Sequence, residues 1–304
     1  MRKLLHALSA AALLLAAGCL YEKAPSCAIA PERVGVCSWS WRLPMRGVAA
    51  EMDKAGVKGV NLALGPFIAP DERHGGAEDA ATYEFVKGKV ARGEWVVMST
   101  MVAAVGEDYT TLDSIRRTGG IVPDKNWAAN QKIVTAGAKL TKDLGCKYML
   151  MHAGFLDESD PKAYATYLAR VTWIRDECAK YGVTLILESG QETAEDLAKF
   201  LAKVPGVGIN LDPANMILYD KGRPMEALRT LRPWIRQIHV KDAKRTKVPG
   251  TWGDEVPWGE GEVGGDAFVA ELEKGGFTGN YVVEREGGDN SVGDIVHAVK
   301  SLIK

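Results

Sequence analysis

The sequence is short of histidine and cysteine, with five of each in 304 residues, and it has almost no charge excess, the formal net charge being -1. Each shortage removes a class of protein. Without a basic excess or a long Lys/Arg run there is no electrostatic footprint for nucleic acid, so no nucleic-acid partner is expected. The cysteines (Cys19, Cys27, Cys37, Cys146 and Cys178) show no spacing that would mark a disulfide framework. Cys37 and Cys146 stand in apolar, strand-like runs and read as small buried hydrophobes. No apolar run is long enough for a comfortable membrane span; LLHALSAAALLLAAG, near the start, is broken by His6 and Ser9. No glycine-rich phosphate loop follows the first strand-like stretch, VGVCSWSW, which counts against an open dinucleotide-binding sheet. What remains is ordinary in bulk. The chain is 46% hydrophobic and 25% charged, and is long enough to bury a large core without disulfides.

The first residues read as an export signal. MRK gives a basic start, an apolar stretch follows, and AAGC (16–19) places small residues before a cysteine. Residues 1–18 are therefore expected to be a lipoprotein-type signal peptide, with Cys19 lipidated and residues 19–32 a linker. The alternative cut after Ala28-Ile29-Ala30 is opposed by Pro31. Acyl chains on Cys19 would hold the protein at a membrane, as its only expected membrane contact, facing the periplasm.

From residue 33 onward one rhythm repeats: a short β-branched apolar run, then an amphipathic stretch of helical period. Strands are expected at 34–41, 59–67, 95–105, 147–154, 183–189, 206–212, 236–243 and 281–286. Helices are expected between them, among them 45–56, 77–93, 126–144, 160–182, 192–204, 224–235, 265–276 and 291–304. Asp160 is placed as a helix cap with Pro161 in the first turn. Eight such alternations predict a (β/α)8 TIM barrel formed by residues 33–304 as a single domain.

In that fold the C-terminal strand ends share one mouth, where chemistry is carried out. Four successive strands each bring a potential ligand there: Glu188 in LILES, Asp212 in NLDPAN, His239 in QIHVKD and Glu284 in VVEREGG. Their separations are 24, 27 and 45 residues, the first two close to one βα unit and the last enlarged by a Gly/Trp-rich loop at 245–263. Ile186, Asn210, Gln237 and Val282 each lie two residues earlier, so alternation points all four ligands inward above a packed floor. Taken singly, a rim carboxylate is usually solvated and a strand histidine is usually a satisfied core residue. Together, three carboxylates and one imidazole make a hard, oxygen-rich set suited to a divalent cation. Mn2+ is the first expectation, with Mg2+, Co2+ and Zn2+ open.

The stretches LILESGQETAEDL, GINLDPANMILYD, IHVKDAKR, VPWGEGEVGGDAF and GNYVVEREGG resemble the xylose isomerase-like TIM-barrel superfamily, the sugar phosphate isomerase/epimerase group that includes ketose 3-epimerases. The resemblance implies that Glu188, Asp212, His239 and Glu284 are metal ligands and that Glu188 and Glu284 move protons as the catalytic pair. It also implies that Arg245 holds substrate. Two positions depart from the ketose 3-epimerases: Asn215 replaces a histidine, and Asp242 replaces a glutamate. Both touch expected substrate contacts, so the sugar is left open. His152, Asn215, Lys241, Trp252 and Trp258 complete the expected substrate-binding set. For His152 a structural role is an equal alternative, and loop tryptophans often only pack a lid.

These features lead to a metal-dependent sugar isomerase or epimerase. It would act on a small free or oxidised carbohydrate, by proton abstraction beside a carbonyl through an enediolate. A 3-keto-glycoside lyase or hydratase on the same site is the near alternative, and a non-catalytic sugar-binding lipoprotein the remoter one. Phosphodiester cleavage, as in the related endonuclease IV group, would need several clustered metals and more histidines. A homo-oligomer is allowed but not indicated.

Overall fold

The structure, a computed structural model, describes residues 28–68 and 78–303. The expected signal peptide at residues 1–18, Cys19, Cys27 and His74 lie outside the described residues.

Eight parallel strands close into a barrel. They are β1 (Val34–Cys37), β2 (Gly59–Ala63), β3 (Val96–Met101), β4 (Tyr148–Met151), β5 (Thr184–Glu188), β6 (Gly208–Leu211), β7 (Ile235–Val240) and β10 (Asn280–Val283). β1 pairs with both β2 and β10, so no strand edge is left open. A short antiparallel hairpin, β8 (Asp242–Lys244) with β9 (Asp254–Val256), folds from the long loop after β7. The fold is thus the (β/α)8 barrel that the rhythm predicts.

Most expected strands are shorter than their apolar runs. After Cys37 the SWSW stretch turns into a 3-10 helix, Ser38–Trp41, and after Ala63 the chain enters the short helix Gly65–Ile68. These breaks fall at the rim, where the chain must leave the sheet. Ser38 Oγ helps by accepting the Ala63 N–H at 2.9 Å. The helix caps follow their sequence signals. Asp160 accepts from the N–H groups of Lys162 and Ala163 ahead of Pro161–Ala179, and Gly56 closes Met45–Ala55 in the left-handed region at φ 70°.

Two apolar layers hold the barrel. Leu185, Leu187, Ile209, Leu211, Ile238 and Val240 belong to the main core, where strands meet helices. The alternate residues form the interior: Cys37, Met98 and Val282 in one cluster, Met101, Leu150 and Ile186 in another. Glycine is required in this interior. A Cβ on Gly59 would stand 2.2 Å from Met98 Cε and 2.5 Å from the Val34 carbonyl oxygen. The described body begins by packing Ile29, 2% exposed, with its N–H donated to Leu302 O at 2.7 Å. Cys37, Cys146 and Cys178 are buried free thiols. Among the described residues, no helix is long and apolar enough to cross a membrane.

Candidate metal centre and substrate cavity

Glu188 is the last residue of β5, and Asp212 immediately follows β6. His239 lies in β7, and Glu284 follows the last residue of β10. Register explains why they meet. Ile186, whose side chain lies in the barrel interior, is two residues before Glu188, and Val282 pairs directly with His239. Each of the four offers one ligand atom, and these atoms all lie within 4.8 Å of one another. His239 Nδ1 is 2.9 Å from Glu188 Oε1, 3.3 Å from Glu284 Oε2 and 3.8 Å from Asp212 Oδ2.

Asp212 does two jobs. It caps an unforeseen short helix, Pro213–Leu218, by accepting the Asn215 N–H on Oδ1 at 2.8 Å. Its own N–H donates to Ser189 Oγ at 3.0 Å. Both bonds fix the carboxylate, while Oδ2 is buried with no hydrogen-bond partner among the described residues. An orphaned, fully buried carboxylate oxygen that faces an imidazole nitrogen and two more carboxylates fits a divalent cation well, because a cation relieves both the desolvation and the mutual repulsion. The residues present therefore suit a divalent metal ion.

The two glutamates have unequal surroundings. Glu284 Oε1 accepts from Trp39 Nε1 at 2.9 Å, and its Oε2 accepts from Lys241 Nζ at 2.9 Å. Burial would raise its carboxyl, but Lys241 and then His239 outweigh that and hold it well below the usual range. Glu188 has Asn215 Nδ2 at 3.4 Å and His239, and His152 Nε2 is 4.0 Å away. Burial pushes Glu188 up to about 8, against the pull of His239 and with help from the Glu284 and Asp212 charges. For His239, burial alone would lower the pKa, but Glu188 and its neighbours raise it well above normal.

A cavity of about 360 Å³ opens above these groups. His152, Asn215, Lys241 and Trp252 line it together with Glu188 and Glu284. Two expected contacts sit elsewhere. The Arg245 guanidinium pairs with Asp220 and donates to the Gly222 carbonyl at 2.8 Å, outside the cavity wall. Trp258 is 7% exposed and packs in the main core, its ring against Gly265. Asp242 is likewise structural, its two oxygens accepting from the N–H groups of Ala243, Gly259, Gly261 and Val263.

Sequence reasoning missed Trp39, Glu107, Tyr109 and Glu286, all of which line the cavity. Trp39 was hidden in a run read as strand. The signal that could have found it is its position just beyond the first strand, at the mouth. Glu107 and Tyr109 sit in the long loop after β3, where Glu107 accepts the Gly120 N–H at 2.9 Å. Arg285, two-pronged on Glu255 and Asp294 at 2.8 and 2.9 Å, ties the β8–β9 hairpin to the rim beside Glu284.

The chain belongs to the xylose isomerase-like TIM-barrel family, whose sequence model matches residues 54–304. A solved xylose isomerase domain protein from Planctomyces limnophilus is 27% identical, with a TM-score of 0.75 over 90% of this chain and 95% of that one. A xylose isomerase-like TIM-barrel protein from Mycobacterium smegmatis, solved in complex with magnesium, shares the fold at 16% identity. Its TM-score is 0.65, over 89% of this chain and 96% of that one. In sequence, the Escherichia coli (strain K12) protein YihM is 28% identical over 106 residues, a match spanning 34% of this chain and 32% of YihM.

Proposed function

We propose that the protein is a divalent-metal-dependent isomerase or epimerase of a small carbohydrate. The single observation that carries this reading is the convergence of Glu188, Asp212, His239 and Glu284 beneath a cavity that both glutamates also line. A binding protein needs a shaped wall; it does not need two carboxylates aimed at one ligand from different strands. Structural relatives named as ketose 3-epimerases and as a 3-keto-D-glucoside 4-epimerase lend the sugar its place in the proposal.

Glu188, Asp212, His239 and Glu284 would hold the cation, with Mn2+ the first expectation. When bound it supplies a Lewis acid that polarises the substrate carbonyl and acidifies the adjacent C–H. The chain does the rest. One glutamate removes the proton from that carbon, leaving an enediolate, and the other returns a proton to the opposite face or to the neighbouring carbon. Lys241 and Trp39 hold both oxygens of Glu284 at 2.9 Å, which fixes the direction its lone pairs face. Asn215 steadies Glu188, and His152 stands beside it. Trp39, Tyr219 and Trp252 add aromatic rings to the cavity lining. A positioned base of this kind is worth roughly 10²–10⁴-fold in rate.

A 3-keto-glycoside lyase would use the same first proton removal and expel a substituent instead. The export signal at residues 1–18, read from sequence, favours substrates that are not phosphorylated and so leaves this alternative standing. Incubation of the metal-loaded protein with ketoses and 3-keto-glucosides in D2O tests the reading. Deuterium on the carbon beside the carbonyl supports an isomerase or epimerase, and release of a fragment supports the lyase. No exchange and no release across the panel would leave only a binder.

A further inference from the structure

The strand starts of the barrel enclose a second cavity, of about 320 Å³. Tyr148, Ile235 and Asn280 line it, and they are the first residues of β4, β7 and β10. It lies at the end opposite the candidate metal centre, because the four residues of strand from Ile235 to His239 rise about 13 Å. The two cavities differ in charge. Glu107, Glu188, Glu255, Glu284 and Glu286 line the mouth cavity, whereas the second is lined by Arg232 and Arg236 and by neither Asp nor Glu.

Arg236 is held in place. Its Nη1 donates to the Pro233 and Ile235 carbonyls, both at 3.0 Å. Its stem crosses Gly208, where a Cβ would stand 2.6 Å from Arg236 Cγ. Both Nη1 hydrogens are thereby used. The Nε–Nη2 edge is left, and no group of the described residues bonds to it. The parallel N–H groups of such an edge match two oxygens of an anion. Because the side chain is already fixed, binding costs little further rotamer freedom. The surroundings are positive as well. Arg229 and Arg232 share one carboxylate oxygen, Glu271 Oε1, at 3.8 and 3.1 Å, and Lys147 Nζ stands 5.5 Å from the centre of the Tyr148 ring. Tyr148 and Thr278 add hydroxyls to the lining and Asn280 an amide. Donors converging from several strands and a turn suit a tetrahedral phosphate better than a planar carboxylate.

We propose that this cavity is a binding site for a phosphate group, with the Nε–Nη2 edge of Arg236 as its principal contact. It is independent of whether the mouth holds a metal. The phosphate can come from solution or from a phospholipid headgroup. Arg33 donates to the Phe277 and Gly279 carbonyls at 2.7 and 3.0 Å, so the chain that follows the expected Cys19 anchor joins the barrel beside this cavity and brings headgroups within its scope.

The test is titration of the full chain with inorganic phosphate, followed by 1H–15N spectra and calorimetry. The expected result is saturable shifts of the Thr278 and Gly279 amides, and binding about tenfold or more weaker in Arg236→Gln, the loss of a two-pronged charged contact. A second arm measures capture of the full chain carrying Cys19→Ala by phosphatidylglycerol vesicles, with and without Arg236→Gln. Capture that depends on Arg236 and is competed by inorganic phosphate assigns the site to headgroups; phosphate binding without such capture assigns it to a soluble phosphate. The proposal is overturned if the parent shows neither, if Arg236→Gln binds phosphate as well as the parent, or if the shifts fall away from this cavity. Should Arg236→Gln not fold, the map of shifts in the parent decides alone.

Discussion

Lys241 Nζ donates to Glu284 Oε2 at 2.9 Å from a position two residues beyond His239. The chain leaving β7 thus supplies both a candidate ligand and the cation that charges a neighbouring carboxylate. Lys241 is 3% exposed and also holds Glu286 at 2.6 Å. Substituting Lys241→Met should lower kcat/KM at least tenfold, equivalent to about 1.4 kcal/mol. Because Lys241 holds the Glu284 carboxyl down, its loss should move the acid limb of the pH–rate profile to higher pH. A pH–rate profile of the folded variant checks both.

Glu192 offers a stability prediction outside the site. It is 6% exposed, its Oε1 has no hydrogen-bond partner among the described residues, and burial pushes its carboxyl up from 4.5 to about 8. Between those values the unfolded chain has released a proton that the folded chain keeps. Stability contributed by this group is therefore complete below the lower value and is lost as pH rises through the window. Glu192→Gln should leave stability at pH 5 nearly unchanged and raise it by on the order of a few kcal/mol above pH 8. Urea unfolding at the two pH values measures the difference.

Arg245 and Trp252 should separate by kinetics. The Arg245 guanidinium is engaged by Asp220 and Gly222, whereas Trp252 lines the cavity. Arg245→Ala should change KM by less than about twofold, and Trp252→Ala should raise KM about tenfold or more, the cost of a lost aromatic face. Steady-state kinetics on the two variants decides it.

The barrel was legible because each of its strands is a short apolar run buried against helices, and the amphipathic stretches between them carry their own caps. The convergence of Glu188, Asp212, His239 and Glu284 was legible for the same reason: alternation from Ile186 to Glu188, and from Gln237 to His239, fixes which side chains point inward. Arg245 was not, because spacing along the chain says nothing of the β8–β9 pairing that carries it out to Asp220. The helix Pro213–Leu218 was hidden because every one of its residues is buried, which erases the periodic signal. Trp39 was obscured by the alternation of SWSW, which imitates a strand while the rim forces a 3-10 turn.

Reading residues 1–18 as a lipoprotein-type signal predicts that Cys19 anchors the protein. Expressed in a Gram-negative host, the full chain should fractionate with membranes and incorporate labelled palmitate. Cys19→Ala should abolish the label and release the protein from the membrane fraction.

The central claim is that four strands give one cation its ligands. The most direct measurement is an anomalous difference map at the manganese edge from crystals soaked in Mn2+. The account predicts one strong peak bounded by Glu188, Asp212, His239 and Glu284, lost in His239→Ala. A folded protein with no peak among these four side chains, or with manganese bound only elsewhere, would contradict it.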